Sequence, residues 1–192
     1  MVERGAARER AILDAVVDVI VEVGYEALTM DAVAARAGAS KATIYRRWQG
    51  KADMVRAALD AYDAERNAAA PDTGALRGDL VGVLETLRAT VTPAYVALTG
   101  GLARAMRTDP ELAAQLRAHL DDDELSPFAT AIERAVARGE LAPDVDATLL
   151  HDVAESMLAH RLTLQKPIDD EFVVRLVDDV LLPVLARWRN SA

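Results

Sequence analysis

The sequence contains no cysteine, which excludes a disulfide framework, a thiolate metal centre and a cysteine nucleophile, and which suits a reducing compartment such as the cytoplasm. Histidine is nearly as scarce. His119, His151 and His160 are the whole set, and the last two stand nine apart, not at the i, i+4 spacing of a helical zinc pair. With no G-x-S-x-G and no Gly-rich phosphate loop either, we expect no enzyme and no cofactor or metal. The acidic run Asp121-Asp122-Asp123-Glu124 could attract a divalent cation, but it lacks the spaced ligands and turn glycine of a calcium loop, so it reads as a solvated helix end. Long apolar runs are missing too. VVDVIVEVGY is interrupted by acids, and the charged start MVERGAARER is not followed by a signal-type apolar segment, so neither a membrane span nor secretion is expected. Aromatic residues make up 4% of the chain against 52% hydrophobic residues weighted to Ala, Leu and Val, with 7 Pro and 10 Gly. That balance favours packed helices, and the expected fold class is all-α.

The net charge of -9 argues against indiscriminate coating of a polyanion, yet it is unevenly spread. Residues 1–56 carry nine Lys/Arg against eight Asp/Glu, whereas residues 57–192 carry 13 against 23. Within the first part, Gly38 to Lys51 reads GASKATIYRRWQGK and holds Lys41, Arg46, Arg47 and Lys51 without a single carboxylate.

The periodicity places this stretch. Ile12, Val16, Val19 and Val23 form the apolar face of a first helix ending near Gly24, with Asp14, Asp18 and Glu22 opposite. Thr29 stands as N-cap of a short second helix with Met30, Val33, Ala34 and Ala37 on one face and Gly38 as its stop; Ala32 occupies the place of a capping-box Glu. Ser40 caps a third helix to about Trp48, and Lys51 opens a fourth. Two short helices joined by a turn that begins with Gly form a helix-turn-helix pattern. Downstream, the spacing predicts helices over 75–91, 93–107, 110–120, 127–138, 146–164 and 169–189, several announced by a capping residue before Pro, as in Asp109-Pro110 and Ser126-Pro127. Pro183 should kink the last one.

On the third helix Ile44 and Trp48 share one face, while Ala42, Thr43 and Arg46 share the other, with Tyr45 and Arg47 on its edges. A helix laid in the major groove needs small or hydrogen-bonding groups at its centre and phosphate-binding groups at its sides, and that is this distribution. The absence of local acids suggests that the four cations are held clear of carboxylates to approach a polyanion, while the acidic remainder repels it.

The stretch GYEALTMDAVAARAGASKATIYRRWQGKADM resembles the DNA-binding signature of TetR-family transcriptional regulators over about residues 9–56, through Gly24-Tyr25, Thr29, Ala34-Ala35, Ala37-Gly38, Ser40, Thr43-Ile44-Tyr45, Trp48 and Lys51. The sequence departs from the family's pattern where Val is commoner than Ala39 in the turn, and where Ile or Leu is commoner than Ala32-Val33 and Met54. The resemblance implies a DNA-binding domain over 1–56 and a helical effector-binding and dimerisation domain over 57–192. It implies a homodimer that binds a double-stranded operator and responds to a small molecule, most often as a repressor. Carried onto this chain, Lys41, Ala42, Thr43 and Arg46 would face bases, while Thr29, Ser40, Tyr45, Arg47 and Lys51 would hold phosphates, with Lys41 and Arg47 able to exchange roles. A scaffold that keeps a non-reading helix-turn-helix is the alternative, and it would be expected to lose the exposed cations.

RGDL at Arg77–Leu80, DPELAAQLRAHL and ERAVARGELAPDVD are similar, more loosely, to one group of C-terminal domains in that family. The late helices carry apolar stripes that could pack internally or form half of an intersubunit bundle. The resemblance implies the bundle, and Leu150, Val153, Met157, Val173, Val177, Val180, Val184 and Trp188 are the expected interface. Polar or bulky groups on apolar helices, Tyr95, Met106, His119, Phe128, Met157, His160 and Arg161, are candidate ligand contacts, each with an ordinary core or surface role as the competing reading. Gly100-Gly101 could mark a kink, a close helix approach or merely low helix propensity.

Overall fold

A computed structural model describes residues 2–66, 71–120 and 126–188, among which every regular element is helical. The helices are α1 (Val2–Val23), α2 (Met30–Arg36), α3 (Lys41–Arg47), α4 (Lys51–Arg66), α5 (Leu76–Thr90), α6 (Pro93–Ala105), α7 (Pro110–Leu120), α8 (Pro127–Ala137), α9 (Ala147–Thr163), α10 (Asp170–Leu176) and α11 (Leu182–Leu185). The all-α expectation holds, and the starts fall where capping chemistry put them. Thr29 accepts from the Ala32 N–H at 3.1 Å, Asp109 from Leu112 at 2.9 Å and Ser126 from Phe128 at 3.3 Å. None of the described helices is long and apolar enough to cross a membrane. The acidic run 121–124 lies outside the described residues.

Packing divides the chain into two units, Met1–Glu65 with Ala94–Asp121, and Arg66–Pro93 with Asp122–Ala192. The sequence-based division at residue 56 follows a different line, because α4 runs on to Arg66 and α6 and α7 join the helix-turn-helix. In the first unit, Ile12, Val16, Val19 and Ile20 of α1 meet Val33 and Ala34 of α2, Ile44 of α3 and Met54, Val55 and Ala58 of α4. Leu98, Leu102 and Ala105 of α6 and Leu112 and Leu116 of α7 complete that core. The four N-terminal helices, two of them only seven residues long, thus gain apolar cover from α6 and α7.

In the second unit α5 is central, packed against α8, α9 and the C-terminal run. Its buried Leu80, Val83, Leu84 and Leu87 lie among Phe128, Ala131 and Ile132 of α8, Leu150, Ala154 and Leu158 of α9, and Val173, Leu176, Val177, Leu181 and Leu185 farther on. Ion pairs fasten both ends of α5 to that run: Arg77 donates two bonds to Asp178 at 2.7 and 2.8 Å, and Arg88 one to Asp170 at 2.7 Å. The hub of the unit is Asp79, which has no exposed surface. Its carboxylate accepts from the Thr73 N–H (2.8 Å), the Thr73 hydroxyl (2.7 Å) and Arg138 (2.9 Å). Arg138 also donates to Glu140 (2.5 Å), whose other oxygen accepts the Leu76 N–H at the start of α5 (3.0 Å). The sequence fragments RGDL and ARGEL are therefore two halves of one network.

Asp79 requires a close approach from residue 73, and Gly78 provides it. A Cβ at Gly78 would stand 2.9 Å from the Thr73 Cβ and closer still to its hydroxyl. Gly100 and Gly101 differ. The helix α6 runs unbroken through both, and a Cβ on either meets nothing within 4 Å, so the suggested kink and close approach are both absent and only the low propensity remains.

The irregularity expected at Pro183 appears one turn earlier. The run widens into a π-helical turn over Val177–Leu181, with the Leu182 N–H bonded back to the Val177 carbonyl. Proline has no N–H for the carbonyl four residues back and its ring crowds that carbonyl; a widened turn removes the conflict.

Two outcomes follow from this packing. Gly100→Ala should raise stability by about 0.5–1 kcal/mol and Gly78→Ala should lower it despite the better helix former, both read from urea unfolding. Burial pushes the Asp79 carboxyl up, but its bonds from Thr73 and Arg138 outweigh burial and hold it below the usual carboxylate range. The unfolded chain therefore takes up the proton first on acidification, so this stabilisation is present above about pH 4 and is lost as pH falls through the folded value. Asp79→Asn should cost about 2 kcal/mol at pH 7 and give a shallower loss of stability on acidification, measured by denaturant titrations across pH.

Candidate nucleic-acid interface

The helix α3 is only seven residues long, and an isolated helix of that length is unstable in water. Three local devices hold it. Gly38 at φ +59° takes the left-handed conformation that ends α2, with the Ala39 N–H bonded to the Ala34 carbonyl at 2.9 Å and Gly38 to Ala35 at 3.4 Å. Ser40 accepts from the Thr43 N–H at 3.2 Å, and its hydroxyl shares a bond with that of Thr43 at 2.8 Å. Ile44, wholly buried, and Trp48, 5% exposed, anchor the helix from beneath. What remains outside is Lys41, Ala42, Tyr45, Arg46 and Arg47, with Thr43 half-buried. Tyr45, 58% exposed, is a large ring left in solvent beside the cations.

The tertiary structure corrects one inference from the sequence: the cations of this stretch are not clear of acids. Lys41 Nζ donates to Asp31 of α2 at 2.5 Å, and Arg47 forms a two-point pair with Glu9 of α1, Nε to Oε1 at 2.9 Å. The carboxylates come from ten and 38 residues away, so a local count of charges could not find them. Bonding to Asp31 holds the Lys41 ammonium above its ordinary pKa. Among the described residues Arg46 has no ion-pair partner, and it stands at the middle of the exposed face.

Lys51 is engaged differently. Its ammonium lies 3.8 Å from the centre of the Tyr25 ring and donates to the Glu26 carbonyl at 3.5 Å. Burial lowers its pKa, with Asp109 and Glu26 partly offsetting that. The Tyr25 hydroxyl in turn donates to Asp109 at 2.6 Å, so the cap of α7 fixes the ring on which Lys51 rests. Burial, then the bond to Asp109, raises the phenol far above its ordinary range, and Tyr25 stays neutral. Thr29 spends one lone pair on its cap, which leaves its own hydroxyl proton available. Glu9 and Asp31 were not anticipated, and Asp109 only as the cap of α7; their contacts to Arg47, Lys41 and Tyr25 carry no sequence signal until the helices are packed. Arg8, also unforeseen, donates to the Gly38 carbonyl at 2.8 Å and ties α1 to the turn.

The ligand candidates divide between the two units. In the first, Tyr95 stacks on Tyr62 with ring centres 6.0 Å apart, Met106 packs on the core, and His119 lies buried between Asp60 (2.6 Å) and Asp63 (3.1 Å). Burial alone would lower the His119 pKa, but the two carboxylates raise it. In the second, Phe128 is wholly buried with its ring centre 6.2 Å from that of His151 in a T-shaped pair, Met157 is half-buried and His160 exposed, and Arg161 lies 4.1 Å from the Phe172 ring centre while donating to the Pro167 carbonyl at 2.8 Å. The interface candidates need a correction: Leu150, Val173 and Val177 are core residues, at most 1% exposed, and cannot meet a second copy. Val153, Met157, Val180 and Val184 are half-buried, and the exposed neighbours are Leu149 (41%) and Val174 (37%). The Trp188 side chain lies outside what is described.

Comparison with known proteins decides the family. Residues 12–58 match the model described as bacterial regulatory proteins, tetR family, and residues 70–180 match the Tetracyclin repressor-like C-terminal domain. A Mycobacteroides abscessus protein named DNA-binding transcriptional repressor TetR is 50% identical over 185 residues, covering 96% of this chain and 97% of its own. The chain belongs to the TetR family of transcriptional regulators. A solved TetR-family transcription regulator is similar at 33% identity and a TM-score of 0.64, covering 88% of this chain and 94% of its own. The flavonoid-responsive regulator FrrA shares the TetR fold at 22% identity and a TM-score of 0.68, covering 97% of this chain and 100% of its own. The helix-turn-helix of this TetR-family chain accordingly lies in the first of the two matched segments, and the Asp79 network in the second.

Ser40→Ala should destabilise the protein by about 1 kcal/mol and speed amide exchange selectively in α3, read by hydrogen exchange.

Proposed function

We propose that this TetR-family regulator is a repressor that binds a pseudo-palindromic operator as a homodimer and is released by a small molecule bound in its C-terminal domain. The observation that carries the reading is Arg46, unpaired among the described residues at the centre of an exposed face whose opposite side, Ile44 and Trp48, is fixed in the core. From there a guanidinium would donate two bonds to the O6 and N7 of a guanine, with Ala42 and Thr43 allowing close approach. Thr29, Ser40, Tyr45, Arg47 and Lys51 would line the phosphates, and Lys41 would share either role. The repressor name of the 50% identical relative supports the sign of the regulation, and a fold neighbour described as flavonoid-responsive supports control by a small molecule.

Dimerisation rests on the exposed Leu149 and Val174 with the half-buried Val153, Met157, Val180 and Val184 on α9 and the C-terminal run. In such a dimer the two α3 helices would lie about one duplex turn apart, ~34–36 Å, which dictates a two-fold operator. A ligand that binds more tightly to a conformation with another spacing would release the DNA through that difference in affinity alone. Tyr95, Met106, His119, Phe128, Met157, His160 and Arg161 are the side chains from which its contacts would be drawn, and the first unit would hold three of them.

Selection of bound duplexes from a random pool tests this. Enrichment of a palindrome bound by two chains is expected, and Arg46→Ala should cost about 1–3 kcal/mol and relax base preference at one position of each half-site. A monomer that enriches no sequence at low salt would overturn the reading in favour of an interaction scaffold.

A further inference from the structure

Two of the three cations exposed on α3 are already charge-paired before any DNA arrives. Lys41 and Asp31 remain 66% and 51% exposed, and Arg47 and Glu9 47% and 34%, so both pairs sit at the surface rather than in the core. Exposed pairs of this kind add little to stability. Their position gives them another consequence. A phosphate that engages Lys41 or Arg47 must displace a carboxylate or accept that anion beside it, whereas Arg46 meets no such competitor among the described residues.

Resting on the DNA-binding reading above, we propose that Glu9 and Asp31 are specificity-determining residues: built-in counter-anions that reduce the attraction of the reading face for any duplex and thereby raise the relative weight of base contacts made by Arg46. DNA affinity contains a large sequence-independent part that comes from releasing counterions when cations meet phosphates. A cation paired within the protein releases fewer ions from the duplex than a free one, because its own carboxylate competes. Non-specific binding consists almost wholly of that part, and a free cation can satisfy it in any docked orientation, whereas base contacts hold the specific complex in one. Weakening the cations therefore costs non-specific complexes more and favours discrimination. The bonding that holds the Lys41 proton agrees with a firmly made pair.

The test uses the intact protein and fluorescence anisotropy with two labelled duplexes, one enriched from the random pool by the wild type and one of scrambled sequence, each over a series of KCl concentrations. The variants are Glu9→Gln, Asp31→Asn and the double variant, with Glu133→Gln on the exposed face of α8 as a control for the change in net charge. Each of the two neutralisations should tighten binding to the scrambled duplex about two- to fivefold. Each should steepen the slope of log affinity against log salt by up to about 0.9 per chain. The ratio of enriched to scrambled affinity should fall, and Glu133→Gln should change neither quantity. Lys41→Gln gives a second, independent reading: it should flatten the salt slope less in the wild type than in the Asp31→Asn background, where Lys41 has lost its carboxylate. Thermal melts confirm that each variant is folded.

If Glu9→Gln and Asp31→Asn match Glu133→Gln, or weaken binding to both duplexes, the carboxylates only position α3 and the inference is overturned. If Lys41→Gln flattens the slope as much in the wild type as in the Asp31→Asn background, it is overturned likewise. Failure of the underlying reading is separate and visible in the wild type alone, which would then enrich no duplex.

Discussion

The burial of Ile44 and Trp48 is the constraint on which the exposed face of α3 depends. A seven-residue helix has too few internal bonds to persist by itself, so its orientation comes from what its apolar side is pressed into. Once those two side chains enter the core shared by α1, α2 and α4, the rotation of α3 about its axis is fixed, and Ala42, Tyr45, Arg46 and Arg47 have nowhere to point but outward. The Ser40 cap and the left-handed turn at Gly38 set where the helix begins; they do not set which way it faces.

The same packing that turns the cations outward brings acids to them. Because α1 and α2 flank α3, Glu9 meets Arg47 and Asp31 meets Lys41. The exposed face of α3 is therefore less positive than its sequence suggests, and it is graded, with Arg46 uncovered between two covered neighbours. Lys51 is withdrawn further, resting on Tyr25 under the influence of Asp109. Through that contact α7 of the second matched segment touches the helix-turn-helix inside one packed unit.

The second unit depends on a comparable economy of parts. Asp79 gathers the 73–76 turn, the start of α5 and the end of α8 around one buried carboxylate, which accepts from the Thr73 N–H, the Thr73 hydroxyl and Arg138. The RGDL and ARGEL fragments stand out in the sequence as a loose family likeness; the contact between Asp79 and Arg138, 59 residues apart, gives that likeness a physical content.

Element types and starts were legible in the sequence because they are local. A hydroxyl or carboxylate before an apolar repeat, a Pro at the first turn and a Gly at the stop act within four or five residues, and Thr29, Ser40, Asp109, Ser126 and Gly139 all stand where that chemistry puts them. The exposed and anchored faces of α3 were legible for the same reason, since helical period alone separates Ile44 from Arg46. Three things were decided only by the tertiary structure. One was which of the apolar positions on α9 and α10 are core: Leu150 and Val173 are buried while Leu149 and Val174, one residue away in each case, are exposed. Another was that α6 and α7 pack with the N-terminal helices. The third was the pairing of Lys41 and Arg47 with acids. Each depends on how separate helices are rotated and brought together, and a repeat of 3.6 residues fixes a helix's own faces without saying which neighbour each face will meet.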